Sequence, residues 1–296
     1  MTVGPASTGR DGAREDGGVS PLYDCSDETK RQRGVGAARR AIRNGKLVVM
    51  PTDTVYGVAA DAFTADAVAA LLAAKGRGRD MPVPVLVGSA EALAGIAVTN
   101  PTVDALVEAF WPGGLTLICA EQPSLAWDLG DAGATVAVRM PDHDVALEVL
   151  AETGPLAVSS ANVTGKPPAR SAAEAREQLG DAVAVYLEAG PTSDDTPSTI
   201  VDVSGAVPRV LRDGAISLAA LQAVIPEIRA DGTDDGADGT DDGADEANEA
   251  DGMDDRADEA EGSDEADGSD DAARPVDPPA ESAQDDEPGA PRSPDA

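Results

Sequence analysis

Lysine is almost missing from this 296-residue sequence, occurring only at Lys30, Lys46, Lys75 and Lys166. Histidine occurs once, at His143, and cysteine twice, at Cys25 and Cys119. The cysteines form no C-x-x-C pair, which excludes a zinc ribbon, a thioredoxin-type redox motif and a disulfide framework, and fits a reducing cytoplasm. No cluster of metal-ligand type is present, and no Ser-His-Asp order, Walker A spacing or G-x-G-x-x-G after a strand. Met1 to Asp11 hold no apolar stretch of signal-peptide length, and no apolar run approaches the ~18 residues that span a bilayer. The expectation is a cytoplasmic protein without a membrane partner. The Asn162-Val163-Thr164 sequon is then irrelevant to glycosylation.

What is abundant is negative charge. The formal net charge is −33, and residues 227–296 carry 27 acidic side chains against four arginines, a net of −23. The remaining −10 belongs to residues 1–226, so the overall imbalance says little about the partners of the folded part. An acid-rich, lysine-poor chain suits a high-salt cytoplasm such as that of a halophilic archaeon, where salt screens carboxylate repulsion. A GC-rich genome is the plainer alternative.

The chain divides into three by composition. Residues 1–33 are rich in Gly, Asp and Arg without periodicity and read as a mobile arm. Residues 227–296 repeat D-G-T-D-D-G-A and hold too few apolar residues to build a core, so a disordered acidic tail is expected. A complete calcium loop is absent from it. Between them, residues 34–226 alternate strand-like and helix-like stretches. Val35, Ala38 and Ile42 fall at helical spacing, and Leu47 to Met50 form an apolar run closed by Pro51. Helices are expected over 64–74, 89–95, 100–110, 143–152, 171–179 and 217–224. Strands are expected over 83–87, 115–119, 135–138, 156–159, 183–187, 199–203 and 209–211. Several connections are too short for crossover helices, which predicts an α/β domain with a mixed sheet.

Four clusters at strand ends carry chemistry. Pro51-Thr52-Asp53-Thr54-Val55-Tyr56-Gly57 follows the first strand, though taken alone it is better read as a polar turn in which Thr52 and Asp53 bond local backbone. Lys75-Gly76-Arg77-Gly78-Arg79 brings three cations and two glycines to a helix end, more than a C-terminal cap requires. Ser159-Ser160-Ala161-Asn162 packs hydroxyl and amide groups into one turn. Pro197-Ser198-Thr199 and Arg209-Val210-Leu211-Arg212 set hydroxyls and arginines at strand ends. Together they describe a cationic, hydroxyl-lined site for a phosphate-containing ligand, with no reaction specified. His143, in Pro-Asp-His-Asp, reads as a helix N-terminal residue.

In this order, the clusters resemble the YrdC family. The matching stretches are KLVVMPTDTVYGVAADAF, KGRGRDMPVPVLV, FWPGGLTLI, VAVRMPDH, GPLAVSSANVTGKP and PSTIVDVSG with RVLRDGAI, covering about residues 30–217. Gly78, Met81, Gly114 and Ser159 depart from the usual pattern without removing a cation or hydroxyl from the proposed set. The resemblance implies a strongly curved mixed sheet flanked by helices around a large concave cavity, in the short form lacking a second C-terminal domain. It implies condensation of L-threonine, bicarbonate or CO2, and ATP (with Mg²⁺) to threonylcarbamoyl-adenylate and pyrophosphate. The product would serve modification of the adenosine beside the anticodon in tRNAs reading ANN codons, through a KEOPS-type complex, with tRNA or double-stranded RNA contact expected. It implies that Thr54, Arg139 and Ser198 hold threonine. Lys75 and Arg77 would act on the phosphates as catalytic cations, and Thr116, Ser160, Asn162 and Arg212 would complete the ATP site. Two other readings are a non-catalytic RNA-binding module in translation and a carbamoyltransferase with another acceptor.

Overall fold

The computed structural model describes residues 19–131, 133–192 and 196–231. In chain order these form β1 (Leu22–Asp24), α1 (Glu28–Arg43), β2 (Leu47–Met50), β3 (Gly57–Asp61), α2 (Ala65–Lys75) and β4 (Val85–Leu86). A 3-10 turn (Ala90–Gly95), α3 (Pro101–Phe110), β5 (Leu115–Ala120), β6 (Thr135–Arg139), α4 (Asp144–Thr153) and β7 (Leu156–Ser160) follow. Then come α5 (Ala172–Leu179), β8 (Val183–Glu188), β9 (Thr199–Asp202), β10 (Arg209–Arg212), α6 (Leu218–Val224) and β11 (Arg229–Ala230).

All eleven strands join one sheet in the order β1-β8-β2-β3-β7-β4-β6-β5-β9-β10-β11. It is mixed, as the short connections predicted. β2 and β3 form an antiparallel pair, β3 and β4 both run antiparallel to β7, and β8 lies parallel to both β1 and β2. On the other side β4 lies parallel to β6, β6 antiparallel to β5, and β5 parallel to β9.

The β2 sequence Leu-Val-Val-Met shows why it sits inside. Leu47 and Val49 join the apolar layer that also holds Val68 and Leu71 of α2, Leu106 of α3, Leu179 of α5 and Leu221 of α6. Val48 and Met50 point the other way, to Ala38 and Ile42 of α1 and Val149 of α4. A strand buried on both faces has no polar side chain to place, and each such side chain contributes about 1.5–3 kcal/mol. Cys25 and Cys119 are free and buried, and burial pushes their thiols up to about 11 and about 12, so both are unreactive.

Helix boundaries follow the caps. Asn100 accepts from the Val103 amide at 3.0 Å, with Pro101 beginning α3. Gly76 closes α2 in the left-handed region at φ 62°. His143 is the N-cap of α4, its Nδ1 accepting from the Val145 amide at 3.2 Å.

The expected boundaries need correction at both ends. Residues 19–33 are part of the fold, with β1 beside β8 and α1 beginning at Glu28 behind an Asp27 cap. Charged residues hid them, since α1 exposes arginines and buries only a narrow stripe. Gly34 belongs to that stripe because a Cβ there would come within 2.8 Å of Tyr23 Cβ. At the other end, Ile228 is fully buried and Arg229–Ala230 pair with β10, past the expected limit at 226. The expected strand over 83–87 shortens to Val85–Leu86, because Pro82 and Pro84 cannot donate to a ladder. β3 was not expected at all. The arm over residues 1–18 and the tail over 232–296 lie outside the described residues. No helix among the described residues is long and apolar enough to cross a membrane.

Candidate active site

The two faces of a strand differ at every residue, and the middle of the sheet uses this to line a cavity of about 510 Å³. Leu115 and Leu117 of β5 enter the core while Thr116 and Ile118 face the cavity. Val136 and Val138 of β6 likewise enter the core, and Ala137 and Arg139 face the cavity. Ser159 and Ser160 of β7, Ile200 of β9 and Arg212 of β10 join the wall, with Thr52 and Thr54 of the β2–β3 turn and Arg77 of the loop after α2. Among the described residues this wall contains no carboxylate.

Arg139 is 6% exposed and is held on three sides. Its Nε donates to Gly113 O at 2.9 Å, Nη1 to Thr54 Oγ1 at 2.8 Å, and Nη2 to Asp53 Oδ1 at 2.6 Å. Thr52 Oγ1 donates to Val55 O at 2.7 Å and accepts from the Thr54 amide at 3.2 Å, which shapes the turn presenting Thr54.

Across the cavity, Ser198 and Thr116 hydroxyls lie 2.8 Å apart. Arg212 clasps Ser198, with Nη2 reaching its carbonyl at 2.7 Å and its hydroxyl at 3.0 Å. Gly214 lets this segment close, since a Cβ there would strike the Pro197–Thr199 main chain. Burial lowers the Arg212 pKa, and the charge of Arg139 lowers it further. Burial likewise lowers that of Arg77, whose Nη1 donates to Ser159 Oγ at 3.3 Å and whose buried Nε has no protein partner. Cations held this way are undercompensated and favour an anionic ligand.

The residues expected from the sequence separate into two groups. Thr54, Arg77, Thr116, Arg139, Ser160, Ser198 and Arg212 line the cavity together. Lys75 and Asn162 do not line it. The Lys75 ammonium, 3% exposed, donates to Ser160 O and to Asn162 O behind the Ser159–Asn162 turn. Desolvation, then the charge of Arg77, lowers its pKa to about 8. Asn162 donates to Val163 O at 3.0 Å and Lys166 O at 2.7 Å, closing that turn. Both residues brace the wall from behind.

Arg79 points elsewhere. It forks onto Asp128 at 2.7 and 3.1 Å and is half exposed. Tyr56 is fully buried, its hydroxyl 2.8 Å from Glu188 Oε1, and is structural. Thr52 and Ser159 are wall residues the sequence reading did not select, although both sit in stretches it singled out. Asp53 was read as bonding local backbone, whereas its partners are Arg139 and the amide of Asp142 at 3.0 Å.

Comparison with known proteins places this site in context. Residues 40–214 match the family model Sua5_yciO_yrdC, described as telomere recombination, and every residue expected in the site falls within that span. A Mycobacterium tuberculosis protein named "Putative threonylcarbamoyl-AMP synthase" is 57% identical over 208 residues, covering 70% of this chain and 96% of the relative. The Bacillus subtilis threonylcarbamoyl-AMP synthase is 36% identical, covering 71% of this chain and 62% of the relative. The crystal structure of Pyrococcus abyssi Sua5 complexed with L-threonine is 34% identical with a TM-score of 0.66, covering 71% of this chain and 62% of that one.

Proposed function

Because the chain belongs to the Sua5/YciO/YrdC family, we propose that it condenses L-threonine, bicarbonate or CO2, and ATP into threonylcarbamoyl-adenylate, releasing pyrophosphate. It is an enzyme of the nucleotidyltransferase type that uses ATP. The observation that carries the reading is the convergence of Arg77, Arg139 and Arg212 on one cavity whose wall, among the described residues, holds hydroxyls but no carboxylate.

The chemistry has two parts. The threonine ammonium must first lose a proton to water or bicarbonate; the amine then bonds to the carbon of CO2 as one C=O π bond opens onto oxygen, and a second N–H proton passes to water, leaving a carbamate. Neighbouring guanidiniums disfavour an ammonium and favour the carbamate anion, so the same cations promote both deprotonation and carboxylation. A carbamate oxygen then attacks the α-phosphorus, and the bond from that phosphorus to the bridging oxygen of pyrophosphate breaks. Charge accumulates on the leaving group, where donors fixed in a water-poor cavity act most strongly. No general base from the protein is required once the carbamate exists.

Under this reading Arg139 and Thr54 hold the threonine carboxylate and polar groups, with Ser198 across the cavity. Arg77 and Arg212 face the phosphates, and Thr116 and Ser160 offer hydroxyls to the nucleotide. Lys75 contributes charge from behind the Ser160–Asn162 turn, and Asn162 holds that turn. Mg²⁺ would accompany ATP, and among the described residues the wall offers it hydroxyls but no carboxylate. Its ligands would be phosphate oxygens and water. The product would pass to a KEOPS-type tRNA-modifying complex or its equivalent, with any RNA contact made at that stage.

The test is pyrophosphate release from ATP by the purified protein with Mg²⁺ and bicarbonate, in low salt and in molar KCl. Release requiring both L-threonine and bicarbonate supports the reading. Folded, ATP-binding protein that releases none with threonine overturns it.

A further inference from the structure

We infer that Asp53 is the positioning residue for Arg139, aiming its free N–H groups at the substrate carboxylate; the inference rests on the synthase reading above. Asp53 sits between the wall residues Thr52 and Thr54 and is not itself among the residues lining the cavity. Its Oδ1 accepts twice, from Arg139 Nη2 at 2.6 Å and from the Asp142 amide at 3.0 Å. These partners lie 86 and 89 residues away, so the interaction is tertiary rather than a turn closing on itself.

The donor inventory of Arg139 gives the reason. A guanidinium carries five N–H groups in a rigid plane. Gly113 O, Thr54 Oγ1 and Asp53 Oδ1 take one each, from Nε, Nη1 and Nη2. One N–H remains on each terminal nitrogen, and these two donors are left for a substrate carboxylate. Nε and Nη1 are held by the loop before β5 and by the β2–β3 turn. Asp53 holds the third corner, and through Asp142 it binds the guanidinium to the turn entering α4. Its charge also compensates a guanidinium that is 6% exposed.

Two substitutions separate this role from a structural or direct one. Asp53→Ala removes the third corner. Asp53→Asn keeps an acceptor at Oδ1 and removes the charge. The measurements are KM for L-threonine and for ATP in pyrophosphate release, with Tm for each variant. Asp53→Ala is expected to raise threonine KM about tenfold, the scale of losing one oriented contact, with ATP KM within about twofold. Asp53→Asn is expected to return threonine KM to within about threefold of the parent. Unchanged threonine KM in Asp53→Ala overturns the inference. So does an Asp53→Asn variant as impaired as Asp53→Ala, which would mean that Arg139 needs the charge of Asp53 and not its oriented acceptor. A joint rise of both KM values with a fall in Tm would reduce Asp53 to a fold-stabilising residue. If the parent releases no pyrophosphate, the synthase reading fails first. L-threonine binding by calorimetry then decides the inference, with about tenfold weaker binding expected for Asp53→Ala and overturning if parent and variant bind alike or neither binds.

Discussion

The ammonium of Lys75 donates to the main-chain carbonyl of Asn162 at 2.7 Å, joining the end of α2 to a turn 87 residues later. Thr164 returns the link, its amide donating to Lys75 O at 2.9 Å. A cation buried against carbonyls, with no carboxylate partner, is a stored electrostatic tension that a polyphosphate would relieve.

That tension predicts a pH dependence. The Lys75 pKa is lowered from 10.5 to about 8 in the folded state, so between those values the unfolded chain binds more protons. Stability should therefore rise with pH from about 8 to about 10.5, by on the order of 3 kcal/mol relative to Lys75→Met. Urea unfolding of both proteins across this range checks the slope. ATP favours the charged amine, so ATP KM should climb as pH passes 8 in the parent. A parent and Lys75→Met that share one pH–stability curve would refute the assignment.

Arg77 and Arg79 should separate cleanly. Arg77 has a buried Nε without a protein partner, whereas Arg79 is an exposed member of a pair with Asp128. Arg77→Ala is expected to raise ATP KM at least tenfold, the scale of a lost charge-assisted contact. Arg79→Ala is expected to stay within about twofold, because surface pairs contribute little. Steady-state kinetics with ATP varied would show the opposite order if Arg79 were the phosphate ligand.

Ser198 joins Arg212 to Thr116 through one hydroxyl. Ser198→Ala should destabilise by about 1 kcal/mol and free Arg212 from one of its anchors. Threonine-dependent turnover should fall further than that stability loss alone would produce. Thr116→Val, nearly isosteric, should impair turnover while leaving Tm within a few degrees of the parent. Equal loss of Tm in both would assign the pair to packing.

Removing Arg139 alone leaves the Asp53 carboxylate, 18% exposed, without its partner. Arg139→Gln should therefore destabilise by roughly 3 kcal/mol, and Arg139→Gln with Asp53→Asn should recover much of that. Neither should recover threonine-dependent release. A double variant that regains activity would deny Arg139 any role at the substrate.

Much of this protein could be read from the chain. Apolar runs bounded on one side by proline or glycine located β2, α2 and β7, because a doubly buried strand and a capped helix carry local signatures. The six ordered motifs pointed to the family, and the cationic loop after α2 pointed to an anion. Other features depended on contacts across the fold. β1 has a three-residue sequence with no pattern of its own and exists only because β8 offers it a free edge. β4 owes its brevity to Pro84 and its place to the flanking strands β6 and β7. The same distinction divides the site. Composition and order named Arg77 and Arg212 as cations and the family resemblance added Arg139, but charge alone does not tell a ligand contact from a brace. Folding placed Lys75 behind the wall, turned Arg79 onto Asp128, and brought Asp53 to Arg139. Side-chain direction is set by strand register and loop closure, and both depend on partners tens of residues away.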